Sequence, residues 1–232
     1  MKLFFEKEVF FVKFPILFPL IYMFILYSFP SFETQLIFIT ILVLAETHFG
    51  ATWPFFISKV NYNYIKQKKL NLIVIPLILT LFCIIGFFYF KSFFLLLFFA
   101  ANVYHVTRQS YGVMSLYTQN TIEKDNYSVL IYSLNFLFFV IAFFRFYIPL
   151  INIENLLIIN ISVVSIIIII LFLQIRKFGF SENTLTLMTG VLIFYPVCFV
   201  ANPVHAIIMG VTMHYSQYLF LTNKVVKKRA QN

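Results

Sequence analysis

Residues 70–90 read LNLIVIPLILTLFCIIGFFYF, a run that contains no charged side chain. A helix of about 20 apolar residues crosses the hydrocarbon core of a bilayer, so this run has the length and composition of a transmembrane helix. The rest of the chain agrees, because 62% of its 232 residues are hydrophobic and only 11% are charged. Soluble domains carry about 25% charged residues, and the composition therefore predicts an integral membrane protein.

Apolar runs of similar kind recur along the whole chain and predict an all-α, polytopic transmembrane helical bundle, one domain over residues 1–232. Eight spans are expected: Phe14–Phe29, Leu36–Phe56, Leu70–Phe90, Phe93–Tyr111, Val129–Ile148, Leu156–Leu173, Leu185–Val200 and Val204–Leu221. Seven spans remain an alternative, because the first run is short and contains Pro15 and Pro19.

Basic residues are concentrated in alternate loops and in the two tails. Fourteen of the 17 Lys and Arg residues lie on the side that holds both termini, whereas only Lys91 lies in a loop on the other side. The positive-inside rule then places both termini in the cytoplasm, with a bacterial inner membrane as the expected location. The net charge of +9 is thus expected to face anionic lipid headgroups, and no nucleic-acid partner is predicted.

Three polar motifs interrupt the second, fourth and eighth runs, and they contain three of the four histidines of the chain. The motifs are Glu46-Thr47-His48, His105-Val106-Thr107-Arg108-Gln109 and His214-Tyr215-Ser216-Gln217. All three runs point from the outer surface inward, so at a rise of 1.5 Å per residue the histidines lie about 15–18 Å from the outer end. Ionisable groups inside a membrane are costly and mark functional sites, so we expect these histidines to meet.

The three motif histidines predict a metal centre. Imidazole is a ligand that suits iron, zinc and copper, and carboxylates often complete iron sites. We therefore expect His48, His105 and His214 to bind a metal ion, iron in the first place and zinc as the alternative. Glu46 is expected to act as a fourth ligand or as a proton carrier. A haem with His105 and His214 as axial ligands remains open.

Four polar side chains near these histidines are expected to have supporting roles. Gln109 and Gln217 would orient the metal-bound imidazoles, which usually need such partners. Arg108 keeps its charge even in lipid, so it is expected to bind an anionic headgroup, to pair with Glu46 or to reach the interface. Tyr111 would hold the same headgroup. Glu46, Arg108 and Tyr111 are the residues expected to be catalytic.

The string His48-Phe49-Gly50-Ala51 resembles the proline-histidine-glycine-alanine motif of the Brp/Blh integral-membrane carotene-cleaving oxygenases. The resemblance covers these few residues, and Thr52 and Trp53 follow where that family has an aspartate. It implies a histidine-bound iron in a lipid-filled helical bundle and the oxidative cleavage of an isoprenoid.

The sequence thus predicts a membrane-embedded, iron-dependent oxidoreductase or oxygenase that acts on an apolar lipid, isoprenoid or pigment. No NAD, flavin or ATP signature is present, so a reductant would come from a redox partner or from oxygen chemistry on the substrate. The alternative is a non-enzymatic transporter or proton relay built from Glu46, His48, Arg108 and Asn135, or a structural subunit of a membrane complex. His205, outside the motifs, is expected to be structural or interfacial.

Overall fold

The computed structural model describes residues 7–51, 59–148, 150–151 and 153–230. No strand occurs among these residues, and nearly all of them are helical. The main helices are α1 (Leu17–Ser28), α2 (Pro30–Gly50), α3 (Lys59–Gln67), α4 (Leu70–Tyr89), α5 (Lys91–Tyr117), α6 (Thr121–Tyr147), α7 (Ile153–Phe178), α8 (Glu182–Leu192) and α9 (Pro203–Ala230). A π-helical turn, Val9–Lys13, precedes α1, and a 3-10 turn, Tyr195–Cys198, lies between α8 and α9.

Within the described residues, four helices are long and apolar enough to cross a membrane, namely α2, α4, α6 and the Asn155–Phe178 part of α7. Most of the α4 and α7 surface is exposed Leu, Ile and Phe, which a soluble protein would bury. The all-helical class is therefore confirmed, and the four apolar helices fit an integral membrane protein. The count of eight spans and the cytoplasmic termini stay predictions.

Helices α5 and α9 are 27 and 28 residues long but are less apolar than these four. The reason is that they carry the motifs that begin at His105 and His214, whose Arg, Gln and His residues lower the mean hydropathy. Their length, about 40 Å at 1.5 Å per residue, exceeds the thickness of the hydrocarbon core.

The expected seventh span, Leu185–Val200, is not one continuous helix. Helix α8 ends at Leu192, and the 3-10 turn Tyr195–Cys198 follows it. Pro196 lies in this turn, and a proline has no N–H and a fixed φ, so it interrupts helical hydrogen bonding. The 11 residues of α8 rise only about 16 Å, half of the hydrocarbon core. Hydropathy alone did not detect this break.

The core of the bundle lies where α5, α6, α8 and α9 pack together, and it buries Ile131, Phe138, Leu187 and Met213. Gly210 sets the contact between α9 and the chain that follows α8. A Cβ at Gly210 would lie 1.6 Å from the carbonyl oxygen of Ile193, so only glycine permits this approach.

The N-terminal π-helical turn is held against α8 and α9 by polar contacts. Lys13 is buried and forms an ion pair with Glu182, and Thr189 Oγ1 donates to the Lys13 carbonyl oxygen at 2.7 Å. Ser216 Oγ donates to the Phe11 carbonyl oxygen at 2.9 Å. These contacts fix the part of α9 that carries its polar motif.

His205 joins α9 to two other helices, α1 and α2, near the N-terminal end of α9. Its Nδ1 lies 2.6 Å from the Tyr22 hydroxyl on α1, and its Nε2 lies 2.9 Å from Glu33 Oε1 on α2. Asn202 Nδ2 donates to the same Glu33 oxygen at 3.0 Å. Both ring nitrogens of His205 therefore have partners, which supports the structural role expected for this residue.

Candidate metal centre

Three histidines from three helices lie together inside the bundle. One ring nitrogen each of His48, His105 and His214 can be chosen so that all lie within 4.8 Å of one another. The ring centroids of His48 and His214 are 5.0 Å apart, and those of His105 and His214 are 6.0 Å apart. The sequence predicted this meeting from their equal depth in three helices of the same direction.

His48 follows a local change in the winding of α2. Residues Ile41–Glu46 form a π-helical turn, and Thr47 Oγ1 donates to the Leu44 carbonyl oxygen at 3.1 Å at its end. A π-helical turn rotates the residues that follow it relative to a regular α-helix, and such turns are frequent at functional sites. His48 emerges from it only 5% exposed and directed into the bundle.

His105 lies on α5, on the wall of a cavity of about 560 Å³. Gln109 and Gly112 line the same cavity, as their i+4 and i+7 spacing from His105 predicts. His105 is the exposed member of the three histidines, so a molecule in this cavity has access to its ring.

His214 lies on α9 and is 2% exposed. It follows Gly210 by one helical turn, so the contact of Gly210 with Ile193 fixes the height and rotation of α9 at the histidine. Tyr218, one turn further on, packs its ring 4.1 Å from the centroid of His48. The two imidazoles are thus held by close packing.

Two buried ring nitrogens in this group, His48 Nδ1 and His214 Nε2, have no hydrogen-bond partner. Leaving a buried polar atom unpaired costs about 1–3 kcal/mol, so two such atoms in one group mark a candidate ligand site. A tetrahedral ion about 2.0–2.1 Å from each nitrogen needs nitrogen separations of about 3.4 Å. The three nitrogens lie within 4.8 Å of one another, so they would have to approach by up to about 1.4 Å to share one ion.

The two glutamines expected near the histidines line the same cavity as His105 and His214. Gln217 Nε2 donates to the Val12 carbonyl oxygen at 2.7 Å, whereas Oε1 of Gln217 and Oε1 of Gln109 are buried without partners. In the described part of the chain, no hydrogen bond joins either glutamine to a histidine. Each free oxygen can accept an N–H, and the role of orienting a metal-bound imidazole stays a prediction.

The residues expected to be catalytic lie in three different places. Arg108 is exposed and lines the cavity beside His105. Tyr111 does not line it, and its ring lies 6.0 Å from that of Tyr132. Glu46 is exposed on α2 and is not part of the three-histidine group, because residues two apart in a helix point to different sides.

The pairing of Glu46 with Arg108 is one of the alternatives that the sequence left open. Among the contacts of the described residues, no ion pair joins these two side chains. The Glu46 carboxylate instead lies within electrostatic range of the Tyr215 hydroxyl. Arg108 is therefore available for a partner that enters the cavity.

A second cavity, of about 470 Å³, lies between α2, α5 and α9. Its walls are mostly apolar and include Phe49, Phe98, Ile207 and Tyr215. The Tyr215 ring is 5.4 Å from that of His48, so this apolar cavity approaches the histidines from another side. No role was expected for Tyr215 or Tyr218 from the sequence. Their positions, one and four residues after His214, nevertheless place them beside this histidine.

Comparison with protein-family models, with curated proteins and with solved structures finds no match for this chain. The resemblance to the carotene-cleaving oxygenases therefore stays a prediction. What this chain does has to be inferred from the chemistry of its own residues.

Proposed function

We propose that this chain is a membrane-embedded metalloprotein in which His48, His105 and His214 bind one metal ion. The ion is iron, and it serves an oxidoreductase or oxygenase reaction on an apolar lipid, isoprenoid or pigment. The observation that carries the proposal is the meeting of three imidazoles with buried, unpartnered ring nitrogens on two of them.

The contrast with His205 supports a ligand at this site over simple packing. Histidines that only join helices in a membrane use their ring nitrogens as hydrogen-bonding groups. His205 does so with both nitrogens, toward Tyr22 and Glu33. His48 and His214 are as deeply buried, yet each has one ring nitrogen without a partner.

The surroundings of the three histidines favour redox chemistry on an apolar substrate. Three imidazoles would hold iron and leave part of its coordination sphere to other ligands, and dioxygen would be the oxidant of the proposed reaction. The cavity at His105 and His214 has an apolar part formed by Val113, Leu116 and Leu221. The second cavity, whose wall includes Tyr215 beside His48, is mostly apolar. Such apolar surfaces accept a lipid chain.

Glu46 was expected to be either a fourth ligand or a proton carrier. Its exposed position on α2, outside the three-histidine group, supports the second role. Proton delivery would pass by way of Tyr215, whose hydroxyl lies within electrostatic range of the carboxylate. Zinc remains the alternative metal, because three histidines also form zinc sites with an open position.

A proton relay through Glu46, His48, Arg108 and Asn135 has no comparable support. Asn135 Nδ2 donates to the carbonyl oxygens of Ile131 and Gly190, at 2.9 and 3.0 Å, inside the packed core. It lines neither of the cavities that reach the histidines.

The test is elemental analysis and absorption spectroscopy of the protein purified in mild detergent. We expect about one iron or zinc ion per chain in the wild type and none after His48→Ala, His105→Ala or His214→Ala. His205→Gln is the matched control, and it should keep the metal.

A Soret band would assign the iron to haem. Equal metal content in the wild type and in all three alanine variants would overturn the proposal, as would a metal-free wild type after reconstitution with iron and with zinc.

A further inference from the structure

We propose that the 560 Å³ cavity beside His105 binds a single-chain lipid acid, with Arg108 paired to the carboxylate or phosphate of that molecule. This inference rests on the proposed metal centre, because it names the substrate class of the same site. The shared chemistry is one anionic group on one apolar chain.

The charge of Arg108 is the first argument. A guanidinium keeps its proton in all protein environments, and inside a membrane it needs an anion, a carbonyl oxygen or water. Arg108 is exposed to the cavity, and in the described part of the chain no carboxylate pairs with it. The other intramembrane arginine, Arg145, donates to the Val197 carbonyl oxygen at 2.6 Å and so has a partner.

The tyrosines beside Arg108 extend this anion-binding region. Arg108 lies within electrostatic range of the Tyr132 hydroxyl, and the Tyr111 ring is 6.0 Å from that of Tyr132. Phenolic O–H groups donate to carboxylate and phosphate oxygens. A headgroup at Arg108 therefore has further donors within reach on α5 and α6.

The walls of the cavity provide the second argument. Val113, Leu116 and Leu221 form an apolar wall, whereas His105 and His214 lie on the same cavity. A volume of about 560 Å³ is in the range of sites that enclose one drug-sized ligand, and it suits one acyl chain better than a two-chain phospholipid. An acid held at Arg108 lies about one helical turn from His105 and can lay its chain along this apolar wall.

Gly112 provides a way to close this cavity without disturbing the fold. It lines the cavity, and a Cβ built on it meets no atom within 4 Å. The first side-chain atom at this position therefore meets no clash, and Gly112→Leu should extend a side chain into the cavity. Arg108→Gln removes the charge, Arg108→Lys keeps it, and Lys91→Gln removes an equal charge far from the cavity as a matched control.

The experiment measures binding of tritiated palmitate to the purified, metal-loaded protein, together with the metal content of every variant. Lysophosphatidate, which carries a phosphate on one chain, should compete, whereas hexadecanol and inorganic phosphate should compete poorly. Arg108→Gln should weaken palmitate binding about tenfold or more, the factor expected for one charge-assisted hydrogen bond. Gly112→Leu should abolish binding, and Arg108→Lys and Lys91→Gln should retain most of it, all with unchanged metal content.

Equal binding of palmitate to the wild type and to Arg108→Gln would overturn the inference, and so would hexadecanol competing as well as lysophosphatidate. Competition by inorganic phosphate alone would show that the site takes a free anion instead of a lipid. A metal-free wild type that still binds palmitate through Arg108 would remove the metal centre and leave the lipid-acid site standing, so the two failures are distinguishable.

Discussion

His48 and His214 lie with their ring centroids 5.0 Å apart, and each has one buried ring nitrogen without a hydrogen-bond partner. They come from α2 and α9 and are 166 positions apart in the chain. Unpaired polar atoms at such a place lower the stability of the metal-free fold, and a ligand that pairs with them restores it. Stability measurements can therefore separate a ligand site from helix packing.

Replacing a buried histidine with leucine should change the free energy of unfolding differently at His205, which joins helices, and at His214, which belongs to the three-histidine site. In metal-free protein we expect His205→Leu to lower the free energy of unfolding by about 2–3 kcal/mol, because Tyr22 loses its partner and Glu33 keeps only Asn202. His214→Leu should leave it nearly unchanged or raise it, since it removes an unpaired nitrogen. Thermal unfolding of the two variants in the same detergent, with a chelator present, measures the difference.

Added metal should make the wild type more stable than His214→Leu. A ligand at about 100 times its dissociation constant stabilises a protein by about 2.7 kcal/mol, so the wild type should gain stability and His214→Leu should not. A large loss of stability in His214→Leu without metal would instead assign His214 to helix packing.

Gly210 and Gly112 offer a matched pair of substitutions on the two helices that carry His214 and His105. Gly210→Ala should be strongly destabilising and should reduce metal content, because the new Cβ overlaps the Ile193 carbonyl oxygen and forces α9 away. Gly112→Ala has open space around it and should raise helix stability by up to about 1 kcal/mol while the metal is kept. Thermal unfolding and elemental analysis test both, and equal behaviour of the two variants would contradict the packing argument.

Tyr218 packs against His48 with ring centroids 4.1 Å apart, closer than any other ring to this histidine among the described residues. Tyr218→Ala should free the His48 ring and weaken metal affinity about tenfold, the lower end of the effect of losing a group that orients a ligand. Tyr218→Phe keeps the ring and should keep the affinity. Competition with a chromophoric chelator measures the affinities, and a loss in Tyr218→Phe as large as in Tyr218→Ala would assign the effect to the hydroxyl.

The sequence predicted the helical class and the meeting of the three histidines, since both depend on local quantities. Hydropathy over about 20 residues identifies a span, and the rise per residue converts a position in the chain into a depth. Charge at the loops predicted the direction of each span. From that direction, His48, His105 and His214 were predicted to lie at one depth.

What the sequence did not predict depends on rotation and on close contacts. The π-helical turn at Ile41–Glu46 decides that His48 faces inward and Glu46 does not, and no residue pattern in this segment signals such a turn. The break at Pro196 was hidden by a continuous apolar run, although proline was its visible cause. The approach of Gly210 to Ile193 is a long-range contact that only the folded structure reveals.

The N-terminal segment should make stability depend on acid pH through Glu8. Tyr117 donates a hydrogen bond to its carboxylate, and Lys224 Nζ lies 3.0 Å from Oε1, so these contacts hold the pKa of Glu8 below its ordinary value of 4.5. A carboxyl group whose pKa is lowered by folding stabilises the fold above its unfolded pKa, and the contribution is lost as the pH falls through the folded pKa.

The wild type should therefore lose stability through this group as the pH falls below about 4.5, whereas Glu8→Gln should lack that part of the pH dependence. The difference should stay below about 1 kcal/mol, because solvent screens a partly exposed ion pair. Thermal unfolding from pH 3 to pH 7 measures it, with Tyr117→Phe expected to remove more of the dependence than Lys224→Gln because the tyrosine contact is the larger cause. Parallel curves for the wild type and Glu8→Gln would show that the contacts of Glu8 do not stabilise the N-terminal turn.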